Sequence, residues 1–275
     1  MPDLATEPEH KEIEQELRKM GSMSLLQHLD ELRKRIIYSL AAVGISFLAC
    51  WYFAQDYIYP WIQKPILDVF KRYNIDPHLT YLNPTDPFNL YMKVGLMAGI
   101  FLASPILLYQ VWAFISPGLY RNEKRFVLPF LFLSVGLFLA GGYFGYKIVF
   151  PVAMDFLIGH YGEGFRANIT ITEYTKVFLT IILGLALIFE LPIVLGFAGL
   201  MGVVNAKFLF KHIRGAVLIF FVIAAILTPT TDIMNMTIYA APMILLYILS
   251  IGIVWLVHPR QRRKRAEKRK NKDLQ

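Results

Sequence analysis

The chain has 275 residues, of which 56% are hydrophobic and 17% charged, and its formal net charge at neutral pH is +8. Soluble domains are nearer half apolar and a quarter charged, and the apolar excess here lies in long runs, which excludes an ordinary soluble core. A single cysteine, Cys50, excludes an intramolecular disulfide and a multi-cysteine metal site. These totals predict one all-α polytopic membrane domain, residues 24–257, between tails at 1–23 and 258–275.

The N-terminal part combines a charged tail with the first apolar run. We expect residues 1–23 to be a mobile tail, because they lack a core-forming pattern. Residues 24–33 place their leucines on one helical face, which predicts a short amphipathic helix along the membrane surface. The first span is predicted at about 36–53, and the proline-rich residues 54–87 are predicted to form an external cap with a short interfacial helix.

More apolar runs follow, separated by polar or proline-containing segments. The further predicted spans are 88–114, 126–150, 177–200, 215–227 and 233–257, with a second external cap at 151–176. The run 215–227 has only 13 residues, which is roughly 20 Å of helix against a hydrocarbon layer about 30 Å thick. Either this helix begins earlier, near Phe208, or the bilayer is thinner around it. Two glycine pairs with four-residue spacing predict close helix packing: Gly95 with Gly99, and Gly141 with Gly145.

Lysine and arginine are distributed unevenly between the two sides of these spans. The two tails, the second-to-third loop and the fourth-to-fifth loop carry 21 of the 28 basic residues, and the opposite side carries 5. Because basic residues are retained in the cytoplasm, six spans are predicted in the inner membrane with both termini cytoplasmic. The basic residues between Arg260 and Lys272 directly follow a span, so we interpret them as an anchor on anionic lipid rather than a nucleic-acid site.

No catalytic motif accompanies these spans. The sequence contains no glycine-rich phosphate loop, no HExxH or GxSxG motif and no histidine pair at metal-ligand spacing. We therefore expect neither an enzyme nor a bound cofactor or metal. The candidate functional residues are carboxylates.

Glu190 lies inside the fourth apolar run. A carboxylate at the centre of a membrane costs about 2.5–3.5 kcal/mol, so it must face a wet cavity, be paired or be protonated. It is either a functional acid or a polar contact that packs two helices. Pro192 is expected to bend the helix beside it.

Three further acids lie near span ends. Glu31 and Glu123 are each followed by basic residues at the cytoplasmic surface, which indicates either ordinary ion pairs or acceptors for an incoming guanidinium. Asp232 lies in the external turn before the sixth span, where its residue type favours a helix N-cap with Thr230 or Thr231.

Two motifs carry a family resemblance. Residues 28–35 read HLDELRKR before the first span, and residues 109–120 read YQVWAFISPGLY, followed by Glu123-Lys124-Arg125. Weaker marks are Phe189-Glu190-Leu191-Pro192 and Leu227-Thr228-Pro229 with Asp232. In these motifs and its six predicted spans, the chain resembles the TatC family, the multi-spanning subunit of the twin-arginine protein translocase.

The resemblance implies a signal-peptide receptor and core subunit that exports folded proteins, driven by the proton-motive force. It implies TatA-like and TatB-like single-span partners in a multimeric complex, and no nucleic acid. By resemblance, the residues that bind the twin-arginine signal peptide are Glu31, Phe114, Leu119, Tyr120 and Glu123.

The resemblance also implies that Glu190 is the buried acid of a concave face and that Thr228 and Asp232 contact the single-span partners. The external turn, residues 229–232, is one residue longer than the family's usual Pro-Pro-Asp, so the register of Asp232 departs from the pattern. Two rival functions stay open at this point: a secondary transporter of a small solute, and a scaffold for other membrane proteins. A transporter predicts inverted repeats, and the sequence contains no convincing repeat.

Overall fold

The computed structural model describes residues 7–115, 127–160, 162, 167–228 and 232–257, and among these the side chains from 27 onwards apart from residues 127, 160 and 257. Within these ranges the chain forms α-helices, two π-helical turns and one isolated parallel bridge, Thr80 with Thr170. The helices are α1 (Glu7–Tyr52), α2 (Tyr59–Arg72), α3 (Asp86–Ile115), α4 (Val127–Phe144), α5 (Phe150–His160), α6 (Ile171–Ile188), α7 (Leu191–Leu200), α8 (Ala206–Lys211), α9 (Ile213–Leu227) and α10 (Ile233–Val257). The π-helical turns are Ala54–Ile58 and Gly145–Val149.

Five helical segments are long and apolar enough to cross a membrane, and α9 is a shorter apolar helix. The all-α prediction is confirmed for the described residues, and α10 has the bounds predicted for the sixth span. With 15 residues, α9 is about 22 Å long and is separated from α8 by a break at His212. The expected shortness of this span is therefore confirmed, and thinning of the bilayer around it stays a prediction.

Several predicted helix bounds differ from the structure. Helix α1 begins at Glu7, inside the predicted tail, and α6 begins at Ile171, inside the second predicted cap. Residues 24–53 do not divide into a surface helix and a span, because α1 is one continuous helix; no proline interrupts the sequence there. The third span does not end at Phe150, because the turn Gly145–Val149 carries the helix on into α5, where Phe150 and Ala153 are fully buried. The tail residues 1–6 and 258–275 lie outside the described residues.

Three of the four paired glycines bring helix backbones into contact, as predicted, whereas Gly145 faces side chains of α6. A Cβ added at Gly95 would lie 2.9 Å from the Cα of Trp51, and one added at Gly99 would lie 2.8 Å from the Cα of Phe47. Gly141 does the same for α4, where an added Cβ would lie 2.8 Å from the carbonyl oxygen of Leu185 on α6. Only glycine allows such approaches, so α1 packs directly on α3 and α4 on α6.

The short helix α2 covers one end of the bundle. Its apolar face, which includes Ile62 and Phe70, is buried in the main hydrophobic core. Tyr174 donates a hydrogen bond to the Ile62 carbonyl oxygen at 2.6 Å, and Arg72 pairs with Asp155 of α5 at 3.2 Å. We call this the cap end of the bundle. The opposite end, where Glu31 of α1 lies beside the last turns of α3, is the Glu31 end.

Candidate functional site at the Glu31 end

Glu31 already binds a guanidinium from its own helix. The Arg35 Nη2 lies 3.1 Å from the Glu31 Oε1, one helical turn away, and the Arg35 Nη1 donates to the Gln110 Oε1 of α3 at 3.0 Å. The Glu31 and Arg35 side chains are 31% and 28% exposed, so solvent reaches both. Among the described residues, this leaves Glu31 able to accept further hydrogen bonds through its second oxygen.

An aromatic contact fixes the same pair of helices one turn further on. The rings of His28 and Phe114 stack with centroids 4.3 Å apart and planes 16° from parallel. On α1, His28 and Arg35 lie three residues before and four after Glu31, and on α3 Phe114 lies four after Gln110, so each set shares one helical face. A groove of about 450 Å³ follows this surface of α1, lined by Gln27, Asp30, Glu31, Lys34, Arg35 and Tyr38.

The structure brings Glu31 and Phe114 together as neighbours at one end of the bundle. Leu119, Tyr120 and Glu123 lie outside the described residues, so their positions stay a prediction. Sequence reasoning did not assign roles to Gln110, His28 or Arg35, although all three stand in the two motifs. The available signal was the four-residue spacing of Gln110 and Phe114, which places both on one face of α3.

Glu190 lies where the fourth span breaks. The helix ends at Ile188 and restarts at Leu191, with Pro192 in the first turn of α7, so a two-residue break lies beside Pro192 where a bend was expected. Glu190 is half-buried, and its Oε2 accepts a hydrogen bond from the hydroxyl of Ser134, a buried residue of α4. Its Oε1 is buried and has no hydrogen-bond partner among the described residues.

The surroundings of Glu190 are apolar. Ile193 and Phe197 follow it at three and seven residues along α7 and belong to a buried cluster with Trp112 of α3. The Trp112 and Phe197 rings meet edge to face with centroids 4.9 Å apart. Among the described residues, the carboxyl group therefore has one hydrogen-bond donor, Ser134, and one buried oxygen without a partner.

The turn before α10 contains an N-cap, as chemistry predicted for Asp232. The backbone N–H of Asn235 donates to the Asp232 Oδ1 at 2.8 Å, and the Asn235 side-chain amide donates to the Oδ2 at 3.1 Å. Thr228, which ends α9, is buried, and its Oγ1 has no partner among the described residues. Residues 229–231, including the two threonines considered as capping partners, lie outside the described residues.

Comparison with known proteins places this chain in a family. A sequence model of the Sec-independent protein translocase protein TatC matches residues 27–242. This chain belongs to the TatC family. It is 55% identical over 248 residues to TatC of Koribacter versatilis, covering 90% of this chain and 91% of that one. It is 36% identical to TatC of Helicobacter pylori strain 26695, covering 86% and 88%.

The fold agrees with this assignment. A crystal structure of the twin-arginine translocase receptor TatC is similar with a TM-score of 0.72 at 35% identity, covering 84% of this chain and 99% of that one. Membership makes the chain a multi-pass membrane subunit of the twin-arginine translocase, a protein-transport component and not an enzyme. The comparisons favour this function over transport of a small solute.

Proposed function

We propose that this TatC protein is the signal-peptide receptor of its translocase and that Glu31 accepts a guanidinium of the twin-arginine motif. The observation that carries the proposal is the Arg35–Glu31 ion pair, which presents a partly exposed carboxylate in the geometry that receives an arginine. The structurally similar protein is described as a receptor, which supports the same role here. Glu123 is proposed to accept the second guanidinium, with Phe114, Leu119 and Tyr120 shaping the site around it.

Arg35 also supplies a means of selection. An incoming cation must compete with a guanidinium that Gln110 already holds in place. A lysine ammonium is a point charge without the planar fork of a guanidinium, whereas an arginine can reproduce both bonds of Arg35, one to Glu31 and one to Gln110. The internal ion pair therefore rejects single or weakly bound cations and yields to a doubly cationic peptide.

The site requires the Glu31 end to face the cytoplasm, where signal peptides are made. The excess of lysine and arginine on that side, 21 residues against 5, supports this orientation. Both termini are then cytoplasmic, the six spans lie between residues 24 and 257, and the cap end faces outward. The basic C-terminal tail is proposed to contact anionic lipid.

Partner subunits are proposed to bind at two other places. Thr228 and Asp232, which flank the turn between α9 and α10, are proposed to lie where TatA-like and TatB-like single spans bind beside the short helix α9. Glu190, with its spare acceptor at a helix break, is proposed as an intramembrane functional acid. The complex is multimeric, and the proton-motive force drives transport at about 2.3 kcal/mol per charge per 100 mV.

A peptide-binding measurement tests the receptor role. Full-length protein in nanodiscs is titrated with a fluorescent twin-arginine signal peptide, and Glu31→Gln is compared with Glu173→Gln, the same substitution at the cap end. At a partly exposed site we expect about 1.4 kcal/mol, or a roughly tenfold weaker Kd, for Glu31→Gln alone. Undiminished binding by both Glu31→Gln and Glu123→Gln proteins would remove the assignment.

A further inference from the structure

Two adjoining cavities at the cap end share one wall. The first has a volume of about 260 Å³, is almost wholly apolar, and lies between α3, α4 and α6, with Met97, Phe101, Leu139 and Tyr143 among its lining residues. The second, of about 150 Å³, is polar. Tyr146 lines both, so an apolar cavity and a polar cavity lie next to each other at this one side chain.

The polar cavity is rich in cations. Its lining includes Lys64, Arg72 and Lys147, against one carboxylate, Asp68. Arg72 is paired with Asp155 at 3.2 Å, whereas neither lysine has an ion-pair partner among the described residues. Two ammonium groups are therefore available to a negatively charged ligand, one from α2 and one from the π-helical turn of the third span.

Aromatic side chains mark the boundary between the two cavities. The rings of Trp61 and Tyr146 stack with centroids 3.9 Å apart, and the Tyr146 hydroxyl donates to the Trp61 carbonyl oxygen at 2.7 Å. Tryptophan and tyrosine prefer the depth at which the acyl chains of a bilayer meet its headgroups. The apolar cavity therefore lies on the hydrocarbon side of this boundary, and the lysines lie on the headgroup side.

The backbone is irregular on both sides of the same site. The turn Ala54–Ile58 contributes Ile58 to the apolar cavity, and the turn Gly145–Val149 contributes Tyr146 to both cavities and Lys147 to the polar one. Single π-helical turns are rare and occur frequently at functional sites, because the extra residue re-aims side chains. These are the π-helical turns of the described residues, and both line this site.

We propose that this cap-end site binds one anionic glycerophospholipid, with its phosphate between Lys64 and Lys147 and an acyl chain in the apolar cavity. The rim residues Leu139 and Tyr143 are 44% and 60% exposed, so the apolar cavity opens on the lipid-facing surface. A free phosphate would use only the polar half, and a neutral lipid only the apolar half. An anionic glycerophospholipid carries both a phosphate and an acyl chain, so it matches the polar and the apolar cavity together.

The expected preference for an anionic lipid follows from the charge. One lysine near an anionic membrane surface strengthens the association of a protein with that surface about fivefold, which is equivalent to roughly 1 kcal/mol. Two lysines offset by Asp68 should therefore favour an anionic over a zwitterionic lipid by about fivefold or more at this site. The lipid would brace α2 against the third span at the headgroup boundary, beside the Trp61–Tyr146 stack.

Fluorescence quenching by brominated lipids measures this preference, because bromine quenches tryptophan on contact. The reporter is a protein that keeps Trp61 and has phenylalanine at the other three tryptophan positions, Trp51, Trp112 and Trp255, in phosphatidylcholine nanodiscs. Equal fractions of brominated phosphatidylglycerol or brominated phosphatidylcholine are added in parallel. We expect phosphatidylglycerol to associate with the Trp61 site about fivefold more strongly than phosphatidylcholine. A ratio of the two association constants near one would overturn the proposal.

Two sets of variants separate the headgroup from the acyl chain. Lys64→Gln with Lys147→Gln should bring the ratio close to one, whereas Lys71→Gln with Lys176→Gln, which removes two cap-end charges outside the site, should leave it unchanged. Ala98 also lines the apolar cavity. Ala98→Leu should fill that cavity and reduce quenching by phosphatidylglycerol to the level of bulk lipid. Circular dichroism melting confirms that each variant folds. An unchanged ratio in the Lys64/Lys147 protein, or unchanged quenching in Ala98→Leu, would contradict the assigned lipid position.

Discussion

Replacing Gly99 by alanine tests how α1 is held in the bundle. The added Cβ would lie 2.8 Å from both the Cα and the N of Phe47, and backbone atoms cannot move aside as a flexible side chain can. The two helices must separate by several tenths of an ångström. Overpacking of this kind costs about 1–3 kcal/mol. We expect a loss of stability within that range, because the contact is between two helix backbones.

The assay compares two alanine substitutions on the same pair of helices. Gly44→Ala on α1 adds the same methyl group with nothing within 4 Å of it, so it should be neutral or stabilising by up to about 1 kcal/mol. Thermal unfolding in nanodiscs measures the difference in stability. Cysteines placed at His28 and Phe114, whose rings are 4.3 Å apart, report the α1–α3 distance by disulfide formation.

The packing of α1 on α3 should also affect binding of the signal peptide. Gly99→Ala should lower stability relative to Gly44→Ala, slow the 28–114 crosslink and weaken signal-peptide binding, because Glu31 and Arg35 move away from Gln110. If Gly99→Ala were as stable as Gly44→Ala and crosslinked at the same rate, the close approach of α1 and α3 would not be what positions the site.

Further expectations concern single hydrogen bonds. Glu190→Gln should fold normally yet reduce transport in vesicles; unchanged transport with lower stability would favour a packing role. Ser134→Ala should cost about 1–3 kcal/mol in thermal unfolding, because the half-buried carboxyl loses its donor. Asp232→Ala should cost about 0.5–2 kcal/mol through loss of the α10 cap, and no change would deny it that role. Tyr146→Phe should cost about 0.5–1.5 kcal/mol, measured by the same unfolding.

Much of the fold followed from local sequence signals. The bounds of α10 were predictable because turn residues precede a continuous apolar run. The Gly95/Gly99 spacing predicted a close helix contact of α3, but not that its partner is α1. The continuation of the third span into α5 was not predicted, because residues 151–176 were assigned to an external cap. Burial of Phe150 against α6, a tertiary contact, stabilises the helix there.

The candidate site was predictable only in part. Glu31 and Phe114 were assigned through the family motifs, but the bond from Arg35 to Gln110 joins residues 75 positions apart and has no local signal. The two-residue break of the helix at Glu190 was likewise hidden, since Pro192 fixes where a helix can restart but not whether it bends or stops. Asp232 shows the reverse case, where capping chemistry alone was sufficient.

Capture of a twin-arginine peptide by a carboxylate at the Glu31 end is tested most directly by photocrosslinking. A photoreactive residue replaces Phe114, next to the intact Glu31–Arg35 pair, in membranes that contain the partner subunits. Signal peptides with Arg-Arg and with Lys-Lys are then presented side by side. We expect a strong crosslink to the Arg-Arg peptide. The crosslink should weaken about tenfold with the Lys-Lys peptide or in the Glu31→Gln protein. Equal crosslinking of both peptides, unaffected by Glu31→Gln, would contradict this mode of capture.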